Sequence, residues 1–422
     1  MWVVLSLLLA CGSSDPDGRP NDSDELVDDT DGPTVDTDPT TTDPCEDPLE
    51  APAERVWPEP GELFYAQIGL GGISLGESAL IVAPDGTRIL IDVGNDSHDD
   101  EISAGLAAVT AQMNQAGFEP RDPASLEHVV ITHSHADHAD GLEDLLGDVQ
   151  LTGQIVHRGL LDITDAANVD TVAQLCRSLA LAPGASTALC TGAQAPGCDP
   201  DGWTGSYPSS GCGGAVLGPL EIVAINGYIG ATSYQAEVGA IRTDDLNGEN
   251  ARSAVGVVSH GEFRLLITGD LTAASADSDP VEEFYAGHIL AAAGLDARGV
   301  DVVHLAHHGR DSSNSTDWLD VVAPKDGFTR NAIIGVSTAH LGSPHQIVVD
   351  NTLADERLAG GLIWSTTIAA GGATDPQLID ARGGQLLIAT RESGRSYVVQ
   401  AVDEVGVVIE SHAYHAVRSC AR

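Results

Sequence analysis

Residues 128–138 read HVVITHSHADH, an apolar run that leads without a break into three histidines and an aspartate. In an extended segment alternate side chains project to the same side, so His133 and His135 share one face while Asp137 and His138 turn towards another. Imidazoles and a carboxylate at this spacing are transition-metal ligands: two imidazoles serve one ion, and Asp137 with His138 serve a second. The donor set suits zinc, and iron or manganese as well. The loop limits the fold because it must stand at the end of a buried strand while further ligands reach it from elsewhere in the chain. An ordinary polar loop that happens to hold histidines would carry no such requirement.

Around this loop the hydrophobic pattern alternates between strands and helices. LFYAQIG, SALIVA and TRILIDVG read as strands, with Asp85 and Gly86 as a hairpin turn between the second and third. Ile102, Leu106, Val109 and Met113 recur at helical spacing ahead of Gly117, a helix stop. After the histidine loop come a short helix over Leu142 to Leu146, the strand QIVH and a helix near Val169 to Leu181. LEIVAI, AVGVV and FRLLITG then read as strands, and a helix follows near Pro280 to Ala293. The strand VDVVHLA, a helix near Thr316 to Val322, the strand NAIIGV, a helix near Gln346 to Arg357 and several closing strands complete the chain. Hairpins first and strand–helix alternation later predict two sheets covered by helices, not one purely parallel sheet.

Asp270 is a lone carboxylate after an apolar strand and a glycine, in a chain that already carries a metal loop, and is a candidate bridging ligand. Four further blocks stand in order with HSHADH: GLGGISLGESALIVAPDGTRILIDVG with Asp92, NGENARSAVGVV with Asn250 and Ser253, LLITGDL with Asp270, and VVHLAHHGRDSSNS with His307 and His308, followed by LGSPH with His345. Together they resemble the metallo-β-lactamase superfamily, and more narrowly the hydrolase domain of ComEC-type DNA-uptake proteins and their secreted relatives, over about Leu63 to Leu358. The resemblance implies a four-layer αββα sandwich over residues 61–422, with a cysteine-rich insertion at 176–218. It implies two divalent metal ions, zinc first among them, with His133 and His135 holding one, Asp137 and His138 the other, and Asp270 bridging. Of the pair after the later strand, it implies His308 as ligand and His307 facing the substrate, with His345 completing the cluster or contacting substrate. Asp137, His307 and His345 are the catalytic candidates. The chain departs from its relatives at two places: Leu341–His345 lacks one histidine of their Tyr-Gly-His-Pro-His run, and His157-Arg158-Gly159 stands where they show Asp-Arg-Gly. In the wider superfamily a histidine at a comparable strand end is the third ligand of the first metal, which makes His157 a metal candidate. His260, His288, His340, His412 and His415 have no motif around them and are read as structural or surface residues.

The chemistry implied is hydrolysis, since two adjacent divalent ions bring the pKa of a shared water from about 15.7 to about 7. A phosphodiester is the first expectation for the substrate. The same metal core also serves a lactone, thioester or β-lactam, and a surface lipoprotein with a dead site is the reading from another class.

The first residues, MWVVLSLLLA, are apolar but too few to span a bilayer, and they read as a signal peptide. Leu8 to Cys11 resembles a bacterial lipobox, so residues 1–11 imply export and a lipid on Cys11. That lipid would anchor the protein to a bacterial membrane, the outer membrane being expected, on its periplasmic or surface face. Residues 12–60 hold sixteen acids against two arginines and few large apolar groups, a composition that cannot offset its ordering entropy, and read as a disordered tether. The formal net charge is −44, which repels long nucleic acid and anionic lipid. A small-molecule or cell-surface substrate fits better. Six cysteines remain beyond Cys11, an even number that predicts disulfides in an exported chain. Those at 176, 190, 198 and 212 are spaced unlike any zinc knuckle, and Cys45 and Cys420 flank the domain, where chain ends often meet.

Overall fold

A computed structural model describes residues 45, 48–72, 74–159, 166–182, 184–190, 211–242, 246–275 and 277–420. The expected signal peptide, Cys11, most of the expected tether and residues 191–210 of the cysteine-rich stretch lie outside them. Strands β1 to β6 (Phe64–Ile68, Ser78–Val82, Arg88–Ile91, Ser125–Val130, Gln150–His157, Ser186–Ala188) belong to one sheet. Strands β7 to β16 (Ala215–Leu217, Leu220–Ile225, Tyr228–Ile229, Thr232–Ser233, Val255–His260, Phe263–Ile267, Val302–His304, Asn331–Ile334, Ile363–Ser365, Leu378–Asp380) form the second. The chain then returns to the first with β17 to β19 (Gln385–Arg391, Ser396–Val402, Val408–His415). The sheet orders are β19-β18-β17-β1-β2-β3-β4-β5-β6 and β10-β9-β8-β11-β12-β13-β14-β15-β16, with β7 beside β8.

Period-two alternation explains the layering. Along β2, Leu80 and Val82 enter one core and Ile81 another, and along β12 Leu265 and Ile267 part from Leu266 in the same way. Strands buried on both faces read as continuous apolar runs, as these do. Ile81, Ile89, Val130, Leu265, Val302, Ile333 and Trp364 meet between the sheets. The outer face of the first sheet is covered by α1 (Asp99–Ala116), α3 (Leu142–Asp148) and α4 (Ala166–Leu181), with α2 (Ala136–Ala139) at its end. Past the short α5 (Tyr234–Glu237) and α6 (Leu246–Asn250), the second sheet is covered by α7 (Val281–Ala286), α8 (Ile289–Ala292), α9 (Thr316–Val322) and α10 (Gln346–Leu353). The result is helix, sheet, sheet, helix. α1 stops at Gly117, whose φ of 94° is a left-handed cap. The helix expected near Pro280 to Ala293 divides at Gly287, where the Gly287 and His288 N–H groups bond three residues back, to Phe284 and Tyr285.

Two boundaries differ from expectation. Among the described residues, packing on the domain begins before residue 61, because residues 48–57 dock on the last strands. Buried Gln400 donates to the carbonyls of Pro52 and Glu54 and accepts from the Val56 N–H, Val56 enters the core, and Cys45 is disulfide-bonded to Cys420. The cysteine-rich stretch is also less separate than its composition predicts. Its ends supply β6 to the first sheet and β7 to the second, Cys190 is bonded to Cys212, and Cys176 is disulfide-bonded as well. No helix among the described residues is long and apolar enough to cross a membrane.

What positions the site is strand direction. β3, β4 and β5 run parallel, as do β12, β13 and β14. Their carboxyl ends therefore collect at one edge of each sheet, and the loops that leave those ends can meet.

Candidate metal centre

Asp92 follows β3 and takes a left-handed backbone, φ 55°. That turn aims its carboxylate along the neighbouring strand, where it accepts the Thr132 N–H and the Thr132 hydroxyl, both at 2.7 Å. The start of the histidine loop is thereby fixed. Next along, the Ser134 N–H donates to buried Glu249 at 2.7 Å, and Arg158 neutralises that carboxylate. His135 is extended and precedes α2 (φ −82°, ψ 154°), so Asp137 and His138 lie on the first turn of that helix.

The imidazoles and carboxylates then converge. His133 Nε2 and His135 Nδ1 lie 3.1 Å apart, and Asp270 Oδ2 is 3.8 Å from His133 Nε2. On the other side, Asp270 Oδ1 is 3.3 Å from His138 Nε2. His308 Nε2 lies 3.6 Å from Asp270 Oδ2 and 3.3 Å from Asp137 Oδ2. Asp270 stands between two sets of candidate ligands, one of His133 and His135, the other of Asp137, His138 and His308. The groups able to hold an ion include His133 with His135 and Asp270, and Glu77 with His138, Asp270 and His308.

His307, immediately before His308, is at the rim, 15% exposed, with Nε2 3.8 Å from Asp270 and 3.2 Å from the Asn250 amide. Both histidines adopt left-handed backbone, φ 56° and 53°, followed by Gly309 at 71°. Two successive non-glycine residues in that region cost on the order of 1–3 kcal/mol each. The loop is pinned from below: Asn314 accepts from the Ala306 N–H and donates to the Ala306 carbonyl, while buried Glu282 takes the Asn314 and Ser315 N–H groups, both at 2.7 Å.

Tautomers follow from the rear nitrogens. His308 Nδ1 donates to the Gly335 carbonyl at 2.8 Å, which leaves Nε2 as a lone pair facing the centre. His340 is the reverse case: its Nδ1 accepts the Ser337 N–H at 3.0 Å, so its proton sits on Nε2, 3.4 Å from Asp137 Oδ2. His340 is thus a donor into the site, stacked on His308 at 3.7 Å.

The electrostatics ask for cations. Burial opposes any charge here, yet Asp270, Asp137 and Glu77 push His308 up to about 10, and Asp270, Asp92 and Asp137 also raise His138 against burial. Burial and the neighbouring His308 hold His340 down at about 4, and burial holds His307 there against the pull of Asp270. His135 Nε2, His138 Nε2, His308 Nε2 and Asp270 Oδ1 are buried with no hydrogen-bond partner. Buried imidazole nitrogens and carboxylates gathered with several of their atoms unpartnered are the chemistry of a metal site, and the residues fit two divalent ions.

Not every expected residue joins them. His157 is buried with both ring nitrogens engaged: Nε2 meets the Ser186 hydroxyl at 2.8 Å and Nδ1 accepts the Gly159 N–H at 3.1 Å. It falls in neither ligand set, because β6 pairs with β5 and supplies Ser186 as its partner. His345 also stands apart, 30% exposed and paired with Asp311 at 3.2 Å, since the turn from Gly342 to Pro344 carries it past the centre to the start of α10. His340, to which the sequence gives no motif, takes a place in the cluster instead. The one available signal was the histidine missing from the LGSPH run. Glu77, and His304 paired with it at 2.7 Å, gave none.

The Metallo-beta-lactamase superfamily model matches residues 74–161, a segment that contains Asp92 and the whole histidine loop. No curated protein matches the chain. Among solved structures, the chain is similar to Tm1679, a metal-dependent hydrolase of the beta-lactamase superfamily, at 14% identity and a TM-score of 0.35, covering 73% of this chain and 97% of that one. It is also similar to a motif mutant of a metallo-beta-lactamase from Cronobacter sakazakii at 17% identity and a TM-score of 0.26, covering 61% and 79%. A third is the metallo-beta-lactamase SMB-1 at 20% identity and a TM-score of 0.27, covering 60% and 82%. The family match thus lies on the metal loop itself, within a helix, sheet, sheet, helix architecture.

Proposed function

We propose that this protein is a hydrolase with a dinuclear metal centre, and that its substrate is a small or surface-borne phosphodiester. The observation that carries the first part is the position of Asp270, whose two oxygens lie 3.3–3.8 Å from imidazoles of both ligand sets. When bound, two divalent ions would supply Lewis acidity and would lower the pKa of a water in the site towards 7. The chain's own part is to hold the two positions at a fixed separation through Asp270, and to orient the second through Asp137, His138 and His308. His340, with its proton on Nε2, and His307, at the rim, are the imidazoles placed to give or take a proton beside a bound substrate.

The phosphodiester reading rests on the five-block resemblance and on the fit between a paired-metal site and the attacking and leaving oxygens of a phosphoryl group. The formal charge of −44 weighs against a long polyanion as substrate. Export, with a lipid on Cys11, belongs to the same proposal, and the disulfides support a location outside the reducing cytoplasm. Steady-state assays of the metal-loaded protein with bis(p-nitrophenyl) phosphate, nitrocefin and a lactone panel test it. Turnover of the phosphodiester above the others is expected. Turnover of a lactone or of nitrocefin with none of the phosphodiester would remove the substrate assignment and leave the metal centre in place.

A further inference from the structure

Behind each imidazole of the second ligand set stands a carboxylate. His138 Nδ1 lies 2.8 Å from Asp92, and His308 Nδ1 lies 3.0 Å from Glu77 Oε2. The first set lacks this: His133 Nδ1 faces only the Thr132 hydroxyl, at 3.1 Å, and His135 Nδ1 turns to His133 itself. We propose that Glu77 is a positioning residue that, with Asp92, makes the second metal position bind more tightly than the first. The inference rests on the dinuclear reading above.

Glu77 is held for that role. Its own N–H donates to the Asp137 carbonyl at 2.9 Å, and its carbonyl accepts the Gly94 N–H at 3.1 Å, so its backbone is tied to the metal loop. Its carboxylate is shared, with Oε1 2.7 Å from His304 Nε2. It is 6% exposed. Room for it comes from Gly335: a Cβ there would stand 2.8 Å from the Glu77 carboxyl carbon and 2.5 Å from Gln67 Nε2. The same Gly335 offers its carbonyl to His308, so one glycine both orients the ligand and admits the carboxylate behind it. Although Glu77 is close enough to this cluster to be counted among its donors, its Oε2 lies against the rear nitrogen of His308, Nδ1, while Nε2 faces Asp270. A carboxylate so placed raises the basicity of the imidazole and fixes its plane, and loss of such a partner costs roughly 10- to 100-fold in metal affinity.

The test is a zinc and cobalt titration of the metal-free full-length protein, read by competition with a chromogenic chelator and by the cobalt visible spectrum. The wild type should load in two unequal steps. Glu77→Gln should weaken the tighter step roughly 10- to 100-fold and leave the weaker one unchanged. Gly335→Ala, which keeps the carboxylate but displaces it, should shift the same step in the same direction and guards against a folding defect in the first variant. Two wild-type steps in both variants would overturn the inference and spare the dinuclear reading, as would a cobalt spectrum lost equally from both positions. A wild type that takes up no metal would overturn the dinuclear reading itself.

Discussion

The two histidine loops of this protein meet at one centre but are built differently. The loop after β4 delivers His133, His135, Asp137 and His138 from six consecutive residues, and His135 enters it in ordinary extended backbone. The loop after β13 delivers His307 and His308 in left-handed backbone, held there by Asn314, Glu282, the Gly335 carbonyl and the Ser312 hydroxyl among others. Both loops are tied by side chains from elsewhere, the first by Asp92 and Glu249, but only the second must be held in strained backbone. Its histidines should be correspondingly sensitive to changes that touch neither of them.

The largest effect should come from the residue the two loops share. Asp270→Ala removes a carboxylate within reach of both ligand sets. Metal content by elemental analysis should fall from near two equivalents to below one, with most hydrolytic activity lost. Retention of two equivalents would show that the loops form independent sites and break the comparison. Next come the paired histidines, which should fail in different ways. His308→Ala should lose metal, while His307→Ala should keep both ions and lose about 10²- to 10⁴-fold in rate, most for poor leaving groups. Identical metal content and near wild-type rates in both variants would take this loop out of the site.

A smaller effect tests the support beneath the second loop. Asn314→Ala strips the Ala306 N–H and carbonyl of their side-chain partners and should cost about 1–3 kcal/mol in denaturant unfolding. It should also weaken binding at the position served by His308, whereas a stability loss with unchanged metal affinity would show that the backbone strain is held by other contacts.

The smallest effect concerns His157, which lies in neither set. Burial and Arg158 push it down to about 4 from its ordinary 6.5. The folded state then binds fewer protons than the unfolded chain between those values, so its contribution is present above pH 6.5 and lost as pH falls towards 4. His157→Gln should flatten the acid limb of the stability curve by up to about 3 kcal/mol while leaving metal content unchanged. Loss of an equivalent of metal in that variant would return His157 to the first ligand set.

The sequence by itself determined whatever rests on local spacing. The apolar runs SALIV and FRLLI read as strands, helical spacing from Ile102 to Met113 placed α1, and the HSHADH run supplied four candidate ligands, because each depends on residues a few positions apart. Asp270 was legible for a related reason, as a lone carboxylate at the end of an apolar strand. Only the tertiary structure decided which distant side chains come to the loop. His157 and His345 each stand in a recognisable run, yet pairing of β6 with β5 gave one a serine partner and the turn at Gly342–Pro344 carried the other past the centre. His340 and Glu77 have no motif, yet the parallel β12–β13–β14 edge and its packing against the first sheet bring them against Asp137 and His308. Strand order and the meeting of two sheets are set by burial summed over the whole core, a quantity that no short window of sequence contains.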